Sequence, residues 1–222
     1  MIKHILFMPD GNRRFAKEKN ISLEESYLVG AKSLRLFSDF FLLENNWNIL
    51  TMHWMSRYTH GRNDGSLNPI YDALYNEFTK LHDEKYFSKK DIKFKWIDHS
   101  NKLPKNLVEL CQILEKESSY GDKICYNLLG YDLETDERIA YEQTNNYEDF
   151  TKNRLIPDID LIIRTTEMRL SKGPVYAMSQ AQMLLVHKLN PELTRDDLER
   201  SLHEYNALVE YRKITNPIHL ST

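Results

Sequence analysis

Asp10-Gly11-Asn12-Arg13-Arg14 gathers a carboxylate, a turn residue, an amide and two guanidinium groups into five positions directly after the apolar run Ile2 to Met8. Such a set can grip a phosphate, because arginine presents planar bidentate donors and a carboxylate can share a hard cation such as Mg²⁺ with phosphate oxygens. The same residues also read as a plain Asx turn in which Asp10 only caps a chain reversal. Two further polar groups follow apolar runs: Ser56, Arg57, Tyr58, His60 and Arg62, and later Arg164, Thr165, Arg169 and Ser171. Taken singly, each arginine also fits a solvated loop. Taken together, several arginines after strand-like runs are what an anion site at the carboxyl ends of parallel strands requires.

The elements that must position these groups alternate. Strands are expected over Ile2 to Met8, Asn48 to Met55, Ile92 to Ile97, Lys123 to Leu129, Asp160 to Arg164 and Met183 to His187. Ser22-Leu23-Glu24-Glu25 has the form of a capping box, and Tyr27, Ala31, Leu34, Phe37 and Phe41 follow at helical spacing, so one long helix is expected there. Further helices are expected over Leu67 to Phe87, Pro104 to Lys116, Leu133 to Tyr147 and Thr194 to Arg212, with a polar loop from Ser56 to Ser66. This order predicts an α/β fold: a single domain, residues 1–222, with a mostly parallel sheet of about six strands flanked by helices. No repeat or linker divides it.

Composition narrows the function. Lys plus Arg number 30 against 33 Asp plus Glu, for a net charge of −3, so a chain built to coat nucleic acid is not expected and none is assigned as a partner. Neither G-x-x-x-x-G-K-[ST] nor G-x-G-x-x-G occurs, which disfavours a nucleotide P-loop and a dinucleotide fold. Cys111 and Cys125 have no metal or disulfide spacing, and the histidines, His53 and His187 among them, read as core or surface residues. The apolar run at the start is short for a signal core, and no run reaches a membrane span. A cytoplasmic protein is expected, with membrane contact at most peripheral.

His4 to Lys17, HILFMPDGNRRFAK, resembles the opening signature of the cis-prenyltransferases, the undecaprenyl and dehydrodolichyl diphosphate synthase family. Ile159-Asp160-Leu161-Ile162-Ile163-Arg164-Thr165, followed by Arg169-Leu170-Ser171, resembles that family's second diphosphate motif. The resemblance implies isoprenyl diphosphate substrates, Mg²⁺ as cofactor and a homodimer. It implies that Asp10 holds the metal and assists departure of an allylic diphosphate, with Gly11, Asn12, Arg13 and Arg14 around the same group and Arg62 and Ser56 contributing from the second loop. Asp10 and Asn12 with Ser56 would be catalytic, and Arg164, Arg169 and Ser171 would hold a second diphosphate. The hydrocarbon would lie near Phe15, Tyr27, Trp54, Leu74 and Phe78, an apolar set that reads equally as core. On this reading Asp10→Ala abolishes most turnover and leaves folding nearly unaffected.

Departures from the family pattern shape the rest. Leu23 and Tyr27 stand where the family has arginine and histidine, Gly130-Tyr131-Asp132-Leu133-Glu134 replaces Asn-Tyr-Gly-Gly-Arg, and Gln182 takes the place of the glutamate that completes the metal site. A neutral amide is a weaker ligand for a hard cation, so Mg²⁺ is expected to be held by Asp10 and the substrate. The chain resembles the irregular branch of the family, the cyclolavandulyl and lavandulyl diphosphate synthases. That implies head-to-middle coupling of short units such as dimethylallyl diphosphate, with cyclisation in some members. Two alternatives stand beside it: a terpene cyclase using one prenyl diphosphate, and a non-catalytic partner subunit of a cis-prenyltransferase.

Overall fold

The computed structural model describes residues 2–144 and 147–215. Its six strands are β1 (His4–Met8), β2 (Ile49–His53), β3 (Ile92–Asp98), β4 (Lys123–Gly130), β5 (Leu161–Thr165) and β6 (Gln182–Val186). They form one sheet in the order β3-β4-β2-β1-β5-β6, every pair parallel. All residues of β1, β2 and β5 are buried, as strands covered on both faces must be. Alternation splits β1 between two cores: Ile5 and Phe7 join Phe37, Phe41, Trp47, Phe78 and Phe94 on one face, while Leu6 and Met8 join Leu128, Tyr131 and Ile162 on the other. Because β1 lies between β2 and β5, in register Phe7↔Met52 and Met8↔Arg164, the three polar groups singled out above leave the sheet side by side.

The strand expectations hold to within two residues at each end, and the helices differ more. An unforeseen helix, α1 (Asn12–Lys19), begins directly after Gly11. Next comes α2 (Leu23–Ala31), with the Ser22–Glu25 capping box formed in both directions. The single long helix expected here breaks: α3 (Ser33–Phe37) follows and passes into a π-helix, Ser38–Glu44, where the Asn45 amide reaches back to the Phe40 carbonyl at 3.1 Å. Wide turns of this kind accommodate an extra residue, and here they let the adjacent rings of Phe40 and Phe41 both be buried. The helix expected over 67–87 ends earlier, as α4 (Leu67–Asp83), and Lys85 in a left-handed conformation separates it from α5 (Tyr86–Lys89). After α6 (Lys105–Glu117) and β4, the expected 133–147 helix is two, α7 (Leu133–Glu142) and α8 (Tyr147–Asn153). The last helix, α9 (Arg195–Thr215), starts where Asp197 accepts from the Thr194 amide and hydroxyl.

Two buried histidines tie stability to pH. His4 of β1 sets Nδ1 3.1 and 3.0 Å from the Pro157 and Asp158 carbonyls and Nε2 2.8 Å from Thr51 Oγ1, so the neutral ring donates from Nδ1 and accepts from Thr51. Burial lowers its pKa to about 4. His53 of β2, also buried and with Nε2 unpartnered, falls to about 4 for the same reason, with the Arg164 charge adding to the effect. Both stay neutral when folded and would charge near 6.5 when unfolded, so their stabilisation is complete above that value and is lost as pH falls from 6.5 towards 4. Each accounts for roughly 3 kcal/mol across that window. Denaturation followed against pH should therefore show unfolding that takes up nearly two extra protons near pH 5, and His53→Leu should remove about one of them. A flat stability profile between about pH 6.5 and 5 would contradict this.

Candidate active site

The turn from β1 into α1 is built for close approach. Gly11 has φ +99°, and a Cβ there would stand 2.7 Å from Leu189 Cδ2 and 2.9 Å from Thr166 Cγ2, so only glycine fits. Its amide donates to Asp10 Oδ1 at 2.7 Å, a bond to the next residue and so one short of the Asx turn allowed for in the sequence. Asp10 is fixed at its backbone as well: its N–H donates to Thr165 Oγ1 (2.6 Å), that hydroxyl donates to the Asp10 carbonyl (2.9 Å), and the Asn190 amide donates to the same carbonyl (2.9 Å). No side chain caps the first turn of α1, which leaves amide donors and the positive end of the helix facing the cleft.

Arg164 lies beneath this turn and only 3% of its side chain is exposed. Its Nη2 donates to Asp10 Oδ2 at 3.2 Å, and Nη1 donates to the Arg169 carbonyl at 2.7 Å and to Ser171 Oγ at 2.8 Å. Burial pulls its pKa down and the Asp10 charge opposes the shift. Arg164 and Ser171, expected to face a diphosphate, here bond to each other, and the guanidinium holds Asp10 and the β5–β6 loop. Thr166, Ser171 and Lys172 of that loop all have positive φ. For the β-branched Thr166 this is strained backbone of the kind found at functional sites. Its hydroxyl accepts from Arg14 Nη2 at 2.8 Å.

Together these loops enclose a cleft of about 510 Å³ lined by Asp10, Gly11, Asn12, Arg13, Arg14, Lys17, Tyr27, Arg62, Glu167 and Arg169, with Pro9 and Ile70. Five cations meet two carboxylates there, although the chain as a whole is acidic. Across the mouth, Arg13 Nη1 donates to Asp64 Oδ2 at 2.6 Å and ties α1 to the loop that carries Arg62. That loop is anchored from below, where His60 sets its ring nitrogens 2.6 Å from the Tyr71 hydroxyl and 2.8 Å from the Leu129 carbonyl. Ser56 bridges to Tyr131 and does not line the cleft.

Behind the cleft lies a void of only about 30 Å³, lined by Asn12, Tyr27, Gly30, Ala31, Trp54, Ile70, Ala73, Leu74 and Asn190. Tyr27 and Ile70 line both spaces, and burial raises the pKa of the Tyr27 phenol. Of the residues expected beside a hydrocarbon, Tyr27, Trp54 and Leu74 line this void. Phe78 is wholly buried with its edge against Phe94, and Phe15 lies under Lys19 with Nζ 5.7 Å from the ring centre; neither lines the void.

Gln182 is not near Asp10. It opens β6, whereas Asp10 follows the end of β1, so a strand's length separates them, about 15 Å. With its amide oxygen turned to Arg212 it accepts from that guanidinium at 2.8–2.9 Å. Among the described residues no group of three or more His, Cys, Asp or Glu could hold a metal ion. Asp10 alone fits Mg²⁺ in the manner of sites where one carboxylate and substrate phosphates share the ion. Two positions that the sequence did not signal also belong here: Ser26, whose buried hydroxyl donates to the Asn12 carbonyl at 2.6 Å, and Asn190.

A cationic cleft at the carboxyl ends of central parallel strands, with one pinned carboxylate, defines an α/β protein that handles phosphorylated substrates. Residues 8–212 match the family model described as "Putative undecaprenyl diphosphate synthase". The chain is 27% identical to the isoprenyl transferase of Fusobacterium nucleatum over 92% of both chains. It is 24% identical to the tritrans,polycis-undecaprenyl-diphosphate synthase (geranylgeranyl-diphosphate specific) of Sulfurisphaera tokodaii, over 91% of this chain and 84% of that one. Its fold is similar to lavandulyl diphosphate synthase from Lavandula x intermedia in complex with dimethylallyl diphosphate, with a TM-score of 0.81, 20% identity and 91% and 94% of the two chains covered. It is also similar to a probable undecaprenyl diphosphate synthase from Campylobacter jejuni, with a TM-score of 0.75 and 21% identity over 93% and 95%. The chain belongs to the cis-prenyltransferase family and is a prenyltransferase.

The Asp10–Arg164 pair changes what Asp10→Ala should do. Removing the carboxylate leaves a buried guanidinium short of its counter-ion, so the variant should lose about 1–3 kcal/mol of stability as well as on the order of 10²-fold in turnover. Asp10→Ala combined with Arg164→Met should recover part of the stability and none of the turnover, because an apolar pair is tolerated where a lone buried charge is not. Urea denaturation of the three proteins checks this; an Asp10→Ala midpoint equal to that of the parent would refute the pairing.

Proposed function

We propose that this prenyltransferase joins short isoprenyl diphosphates, dimethylallyl diphosphate among them, in an irregular head-to-middle coupling whose product has roughly ten to fifteen carbons, a chain length in which each methylene buried adds about 0.8 kcal/mol. The observation that carries this reading is the contrast between a 510 Å³ cationic cleft and the 30 Å³ void behind it. Phe7 and Phe37 stack at 3.9 Å, Phe37 and Phe41 at 5.7 Å, and all three rings are wholly buried where a long hydrocarbon would have to pass. Trp54 helps to close the void with its ring held by an Nε1–H bond to Asn127 Oδ1 at 3.0 Å. A growing chain of many units finds no room between sheet and helices.

The chemistry follows from the charges. Arg13, Arg14, Lys17, the free amides of α1 and the Asn12 side chain take up the negative charge that develops on a departing diphosphate. Mg²⁺ shared between Asp10 and the diphosphate would neutralise the same charge. Ionisation leaves an allylic cation beside Tyr27, whose ring face can stabilise it. The double bond of the second substrate attacks, and a proton is lost. Arg62 and Arg169 remain to bind a second diphosphate. The occupation of Arg164 by Asp10 favours one competing reading, a cyclase that uses a single prenyl diphosphate.

Incubation with dimethylallyl, isopentenyl and geranyl diphosphates, singly and in pairs, followed by mass spectrometry, separates these readings. Irregular products from dimethylallyl diphosphate with itself or one partner support coupling; a cyclic product from a single geranyl diphosphate supports the cyclase. Linear all-cis chains of many units would refute both. Trp54→Ala should open the void and admit at least one more five-carbon unit, worth about 3–4 kcal/mol of apolar burial, so its products should shift to longer chains. Unchanged product length in that variant would remove the void as the limit.

A further inference from the structure

We propose that Asn190, a residue on the loop between β6 and α9, is a positioning residue that sets which face of the Asn12 amide meets the substrate. This rests on the diphosphate reading of the cleft. Asn190 is 2% exposed and opens a short helical turn, Asn190–Glu192, remote from Asn12 in sequence. Its side-chain Nδ2 donates to the Gly30 carbonyl at 3.0 Å and to Asn12 Oδ1 at 3.3 Å. The Gly30 carbonyl can only accept, so it fixes Nδ2 of Asn190 as the donor end. Asn12, which lines both the cleft and the void behind it, must then present its oxygen to Asn190, and its own Nδ2, with two N–H groups, has no hydrogen-bond partner among the described residues and is free for a ligand in the cleft. An acceptor-rich diphosphate is the complement of that face.

Packing holds the arrangement as firmly as the hydrogen bonds. A Cβ on Gly30 would stand 2.1 Å from Asn12 Oδ1 and 2.6 Å from Asn190 Nδ2, so α2 meets both amides where only a glycine leaves room. From the other side Ser26 Oγ donates to the Asn12 carbonyl at 2.6 Å. The Asn190 backbone amide meanwhile donates to the Asp10 carbonyl at 2.9 Å. One residue thereby orients the amide and pins the backbone of Asp10 in the same cleft, and it does so without lining the cleft itself.

The decisive variant is Asn190→Asp, which keeps the shape and the backbone N–H but replaces the donor by an acceptor. The Asn12 amide should then turn over to donate to the carboxylate introduced there, so that its own oxygen faces the diphosphate. Turnover of dimethylallyl diphosphate is expected to fall on the order of 10- to 100-fold, and affinity for inorganic diphosphate, measured by calorimetry, should fall with it. The double variant with Asn12→Ala should be no worse than Asn12→Ala alone, because the effect of Asn190 runs through Asn12. Asn190→Ser, which is smaller and restores a donor, should recover part of the loss. Thermal denaturation of each variant separates these effects from failure to fold. Additive losses in the double variant, or an Asn190→Asp protein with parental turnover, would overturn the positioning role and leave the diphosphate reading intact. Parental turnover in Asn12→Ala would overturn both.

Discussion

A guanidinium almost wholly removed from water must be neutralised where it lies, and in this protein the only carboxylate that touches Arg164 among the described residues is Asp10. The demand runs both ways. Arg164 needs Asp10 for charge, and Asp10 needs Arg164 to stay at the edge of a cleft whose other cations would draw it elsewhere. Nη1 of Arg164 gathers the Arg169 carbonyl and the Ser171 hydroxyl, so the same ion sets the course of the loop after β5. A buried pair of this kind is weak evidence of net stability but strong evidence of fixed geometry, since losing either partner strands the other.

The sheet makes that pair possible. With β1 between β2 and β5, Met8 stands in register with Arg164, and the chain needs only two more residues to bring Asp10 above it. Gly11 then turns the chain where Leu189 and Thr166 leave no room for a side chain, and α1 starts at once with its amides uncapped. Three of the five cations in the cleft are tolerated beside one another because they have local counter-charges: Arg13 has Asp64, and Arg14 and Arg169 share Glu167. Those exposed pairs are individually weak and can yield to a diphosphate.

What the sequence discloses follows from which interactions are local. Apolar runs bounded by turn residues locate all six strands, and Asp10 through Arg14 are recognisable because chemistry and spacing coincide within one short stretch. The helix α1 escapes such a reading since it buries only Ala16 and so leaves no apolar periodicity. The break between α2 and α3 is hidden for the opposite reason, an apolar stripe that continues unbroken from Tyr27 to Phe41 while the backbone beneath it changes pitch. Arg164 stands out as a site residue, yet its role is not legible, because burial is a property of the assembled fold. Asn190 gives no signal at all: an asparagine before a proline reads as a turn, and its partners Asn12 and Gly30 are brought to it only by the packing of α1 and α2 against the loop.

The π-helix Ser38–Glu44 has a bearing on how such a protein can diversify. Because its turns hold one residue more than an α-helix of the same rise, it behaves as an insertion absorbed without a loop, and removing a single residue would return the segment to ordinary pitch. The flanking residues, Phe37 and Leu34 among them, would keep their faces towards the sheet, because the wide turn had already absorbed the extra residue, and only the packing of Phe40 and Phe41 would be redrawn, while α1 and the strand ends, which belong to other segments, would stay where they are. The apolar interior beneath this segment and the cationic cleft are therefore mechanically separable in this chain: a one-codon event can re-cut the first without disturbing the second.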